Sequence, residues 1–136
     1  MCQNIDDFNR GCALIMARLY RSFPKPIIID VDGIDGGEDL FDDDRATRLA
    51  ERVGVYVATV KFLADEGYLV TRQHDGSSGF SGARLTSKGL AALNRVPEAL
   101  KAPRQTLGDR LLGITGDLAG AAGKEAVKAA VQALLA

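Results

Sequence analysis

The chain has 136 residues, enough for one domain with a short appended segment. Its 17 basic and 18 acidic residues nearly cancel, so bulk electrostatics draw it toward neither a polyanion nor an anionic membrane surface. Hydrophobic residues make up 46% of it, but aromatic residues are sparse and Trp is absent, so aliphatic side chains and Ala must build the core.

A first helix is expected from Asp6, because Phe8, Cys12, Ile15, Met16 and Leu19 recur at steps of three and four. Arg10, Arg18 and Arg21 fall largely on its other side, and Pro24 and Pro26 stop it. The β-branched run Ile27 to Val31 predicts a short strand. From Asp30 to Asp44 stand eight carboxylates and no basic residue, with Gly33, Gly36 and Gly37 marking an irregular loop. The remainder carries 17 basic against 10 acidic residues: a mildly basic body with one acidic loop.

Asp42 to Asp44 favour the positive end of a second helix running to about Val53, with Leu49, Ala50 and Val53 inward. Gly54 is expected to break it. A third helix then runs from about Tyr56 to Glu66, with Val60 and Leu63 inward and Gly67 as its cap. Tyr68 to Gln73 and Ala83 to Thr86 read as paired strands around a Gly/Ser-rich tip, and SKGLAALNRV as a short helix stopped by Pro97. After Pro103 the composition turns to Ala, Gly and Leu. Leu107, Leu111, Ile114 and Leu118, then Val127, Val131 and Leu134, keep helical spacing around a break expected near Gly116 to Gly123. The predicted organisation is residues 1–97 as one domain and 98–136 as a C-terminal helical segment for docking or oligomerisation, with a homodimer expected.

In ATRLAERVGVYVATVKFLADEG, apolar Leu49, Val53, Val55, Val60 and Leu63, small Ala50 and Gly54 stand where a helix-turn-helix is restrictive. FLADEGYLVTR, a glycine-containing loop and RLTSKGLAAL follow, and the whole resembles the winged helix-turn-helix half of bacterial regulators of the MarR and PadR type. The resemblance covers about Asp43 to Leu93. It implies a mainly α fold with a small β-wing, a recognition helix beginning at Tyr56, and a DNA-binding transcriptional regulator. Winged helices also serve protein binding, so an interaction module that binds no DNA is the alternative.

Under the DNA reading, Arg45, Arg48 and Arg52 on the first helix of the motif and Arg72 and Arg84 beside the wing are the phosphate contacts. Lys61 is the one strong donor for base reading, with Tyr56 and Thr59 weaker candidates. Val57, Ala58 and Phe62 suit thymine methyls or, equally, a protein surface. Tyr56, Val57 and Phe62 would serve a protein partner.

IIIDVDG resembles the start of haloacid dehalogenase phosphotransferases, but Ile34 departs from that pattern and the chain is too short for their α/β domain. Asp30, Asp32 and Asp35 do not complete a calcium loop, since Phe41 stands where the closing Glu is needed. Cys2, Cys12 and the lone His74 make no zinc set, which leaves free thiols in a reducing compartment. His74 and the serines lie in a glycine-rich hairpin that offers no rigid catalytic shell, so the expectation is no enzyme, no metal and no cofactor. Asp6 and Asp7 stand against a signal peptide and no run is long enough to span a bilayer, so a cytoplasmic protein without a membrane role is expected.

Overall fold

A helix apolar on one side needs one partner; a helix buried on nearly every side must lie at the centre of the molecule. Helix α1 (Gln3–Ser22) is of the second kind. Besides the expected Cys12, Ile15, Met16 and Leu19, it buries Asn9, Gly11, Ala13 and Ala17. The structure, a computed structural model, describes residues 3–32, 34, 43–76, 78–95, 106–115 and 121–135. Around α1 stand strand β1 (Ile27–Asp30), helix α2 (Asp43–Asp65), strands β2 (Leu69–Val70), β3 (Gln73–Asp75) and β4 (Gly79–Leu85), and helices α3 (Ser87–Asn94), α4 (Leu107–Thr115) and α5 (Ala121–Leu135). The fold is mainly helical with a small four-stranded antiparallel sheet.

The expected break at Gly54 is absent. α2 runs unbroken through that residue, so the two-helix motif does not form there. The reason is phase. Val53, Tyr56, Val60 and Leu63 follow one another at steps of three and four, the spacing of a single uninterrupted helix. Gly permits a left-handed turn but does not impose one, and its cost inside a helix is only about 1 kcal/mol. Burial of Tyr56, Thr59, Val60 and Leu63 outweighs that.

The end of α2 is as expected. Gly67 adopts φ +84°, the Tyr68 amide donates to the Leu63 carbonyl at 2.9 Å, and the Gly67 amide donates to Ala64 at 3.0 Å. This is a Schellman cap, with Tyr68 and Leu63 both buried beside it. The LTSKG step locks the cap to the next helix. Thr86 caps α3 by accepting from the Gly89 amide at 3.1 Å, while its hydroxyl donates to the Gly67 carbonyl. Lys88 reaches back to the Glu66 carbonyl at 2.7 Å and lies over the Tyr68 ring, 4.6 Å from its centroid. Gly89 meets the Tyr68 backbone so closely that a Cβ there would stand 2.0 Å from its carbonyl oxygen.

β4 is the spine of the sheet. β1 pairs with one of its edges, and β2 and β3 pair in succession with the other, all antiparallel. The hairpin turn is shorter than expected, because His74 and Asp75 pair with Phe80 and Gly79. Beside β1 the register shifts between Ile27 and Ile29, where β4 carries Gly82 at φ +63°. Ile29, Leu69, Phe80, Ala83 and Leu85 face inward and are buried.

The C-terminal helices share this core. Leu107, Leu111, Val127, Val131 and Leu134 are buried in the same cluster as the α1 residues. The Tyr20 ring lies against Gly108, and Arg95 donates to the carbonyls of Ala133 and Leu134 at 2.9 Å each, tying the end of α3 to the end of α5. Gly123, placed by the sequence in the break, belongs to α5; residues 116–120, most of the acidic loop and the stop at Pro97 lie outside the described residues.

Candidate interaction surface

α2 and the hairpin carry every residue expected to touch DNA, and the fold scatters them. Tyr56 is fully buried, its ring packed on the backbone of Gly11 where α1 and α2 cross. Thr59 is also buried, with its hydroxyl donating to the Val55 carbonyl at 2.7 Å. Both therefore leave the set of surface contacts. The cause is the unbroken helix, which turns them onto the same side as Val60 and Leu63. Arg52 is half-buried and lies in line with Tyr56, Thr59 and Leu63 at helical spacing. Arg45 and Arg48 belong to the first turns of α2, and their side chains lie outside the described residues.

Lys61 is exposed. Its neighbours on the outer side of α2 are Ala50, Glu51, Gly54, Ala58, Phe62 and Asp65. That stripe presents one cation between two carboxylates, a poor match to a polyanion. Phe62 is 42% exposed and meets Phe8 edge to face, with ring centroids 5.4 Å apart. Ile5, one turn earlier on α1, is 50% exposed. These three make an apolar patch where the start of α1 passes the end of α2. Val57, expected to face outward, is partly buried against the core.

Arg72 and Arg84 are exposed on the hairpin. The stem of Arg72 lies over Gly82, where a Cβ would come within 2.8 Å of its Cγ. Arg84 pairs across the ladder with Val70, and both point away from the core. β1 adds Ile28, the most exposed large hydrophobic residue among those described at 73%. Ile28 and Val70 went unremarked in the sequence. The signal was available: in the run Ile27–Ile28–Ile29 a strand must turn the middle residue opposite to its neighbours.

Between Tyr68, Lys88, Ala91, Ala92, Arg95 and Leu134 lies an open groove of about 340 Å³. Its two cations already hold the carbonyl ends of α2 and α5. His74 stacks flat on Phe80, with centroids 4.4 Å apart. Burial pushes the Cys12 thiol up to about 12, far from a reactive thiolate. Among the described residues no three His, Cys, Asp or Glu side chains gather as a metal set, and no helix is long and apolar enough to cross a membrane. Compared with known protein families, curated proteins and solved structures, the chain matches none.

Proposed function

We propose that the chain is a non-enzymatic protein-interaction module, and that the patch of Ile5, Phe8 and Phe62 with the outer stripe of α2 is its partner site. The observation that carries this is the burial of Tyr56 and Thr59. With those two in the core, the described outer stripe of α2 from Ala50 to Asp65 offers one exposed cationic donor, Lys61, between Glu51 and Asp65. An aromatic anchor that is half-exposed, rigidly packed and rimmed by mixed charge suits a protein partner better than a phosphate backbone.

A DNA-binding regulator is the second reading, favoured by the exposure of Arg72 and Arg84 on the hairpin. One experiment separates the two. A photo-crosslinking amino acid at Ala58 or Phe62, used in cells that naturally make the protein, should yield adducts with polypeptide. Adducts with nucleic acid, together with tight, salt-sensitive binding of random duplex at about 50 mM salt, where phosphate contacts are strongest, would overturn the proposal.

A further inference from the structure

The outer face of the sheet is a second surface, away from the α1–α2 patch. Alternation defines its members. Ile27 and Ile29 pair with inward Ala83 and Phe80, which turns Ile28 and Asp30 outward on β1. Leu69 and Leu85 pair inward, which turns Val70 and Arg84 outward. Gln73, opposite Ser81, joins them, because the neighbouring pair His74 and Phe80 stacks on the inner side. Ile28 and Val70 are thus exposed apolar groups on this face, which also carries the stem of Arg72 over Gly82.

Charge is not spread evenly over this face. Asp30 stands at the end of β1 nearest the hairpin turn, held by Ser78, whose hydroxyl donates to its carboxylate at 2.7 Å, and by the Asp32 amide at 3.0 Å. Arg84 stands at the opposite end, level with the start of β1. Ile28 lies between the two rows. A polyanion laid along the face would meet Asp30 and the exposed Asp32, and a polycation would meet Arg84 and the exposed Arg72. A surface with opposite signs at its two ends and an apolar centre is complementary to itself when turned end for end.

We propose that two copies of this chain pack sheet on sheet through this face, about a twofold axis that crosses the strands at Ile28. Each Ile28 then meets its counterpart, Val70 adds to the apolar centre, and Arg84 of each chain stands beside Asp30 of the partner subunit. Sheets packed in this way lie about 10 Å apart, a gap that an arginine and an aspartate close together. Four short strands give a small interface, so the dimer is weak, with a dissociation constant on the order of 10 µM.

Sedimentation of the full chain from about 1 to 200 µM, a range bracketing that affinity, tests the proposal. The unmodified chain should shift from monomer to dimer, and Ile28→Lys should remain monomeric with an unchanged thermal melt. Arg84→Glu and Asp30→Lys, each alone, should also be monomeric, because every interface would then hold two like-charge pairs. An equimolar mixture of these two variants should associate, since the mixed dimer satisfies both pairs. A chain that stays monomeric throughout overturns the proposal, and so does a dimer indifferent to Ile28→Lys. If each charge variant folds yet the mixture does not associate, the twofold pairing is wrong. None of these outcomes depends on the patch around Phe62.

Discussion

Gly54→Ala has a sign that depends on the path of the backbone. In an unbroken α2, residue 54 is an exposed interior helical position, and a Cβ built there meets nothing within 4 Å. Ala is then better than Gly by about 0.8–1.0 kcal/mol, because it loses less backbone entropy on folding. In a helix-turn-helix the same glycine would take the left-handed conformation, and Ala would cost about 1–2 kcal/mol. Urea unfolding followed at 222 nm resolves the difference. With a urea slope near 2 kcal/mol/M, about 1 kcal/mol moves the midpoint by roughly 0.5 M. The thermal midpoint should rise by roughly 3–5 °C for a chain of this size. A midpoint that falls by a similar amount would refute the continuous helix, and the burial of Tyr56 and Thr59 argued from it.

Three further outcomes follow from contacts already described. Gly89→Ala drives a methyl into the Tyr68 carbonyl, which is backbone and cannot swing aside, so a loss of about 2–3 kcal/mol is expected in the same urea assay. Among the described residues, deleting those after Pro103 removes five buried Leu and Val side chains worth about 1.5–3 kcal/mol each. That is comparable with the whole stability of a small domain, about 5–15 kcal/mol, so the fragment should lose cooperative unfolding rather than persist as a folded monomer. Cys12 is raised from an ordinary value of 9.0 to about 12, so the folded state keeps its proton where the unfolded state has lost it. Its contribution is complete below pH 9 and drains away as pH climbs toward 12, and alkylation of Cys12 at pH 8 should proceed only as fast as the chain opens.

The elements were legible where local chemistry and tertiary demand agree. Pro24 and Pro26 ended α1, the Glu66–Gly67–Tyr68 step capped α2, and Thr86, Lys88 and Gly89 each proved to have a contact that explains the LTSKG run. Gly54 departs from its expected turn because glycine permits a left-handed turn without compelling one. The corrective pattern was visible in the same line, since Leu49, Val53, Tyr56, Val60 and Leu63 stay in phase for one helix and a turn at Gly54 would break that phase. The site was less legible for the same reason. Once the helix is continuous, the azimuth of Tyr56 and Thr59 changes from surface to core, and no property of either residue alone announces it. That Ala13 and Ala17 are buried on α1 was equally hidden, because it requires knowing that helices flank α1 as well as the sheet.

The remaining conflict is between a hairpin with exposed arginines and a helix that has little to offer a duplex. Geometry weighs it. A winged domain that grips DNA brings its recognition helix and its wing to one duplex, and phosphate contacts from the wing add to a base-reading face rather than replace it. Here the outer stripe of α2 runs from Glu51 through Gly54, Ala58 and Lys61 to Asp65, and its net charge is −1. Arg84 is set on the outer sheet face beside Val70 and near Ile28, which are apolar groups a phosphate backbone would leave in water. An arginine beside exposed aliphatic side chains contributes most where its charge meets a carboxylate and its stem covers apolar surface, both of which a protein face supplies. Under the interaction reading proposed above, Arg84, which taken alone looks like a phosphate contact, would instead serve a surface of mixed apolar and charged character.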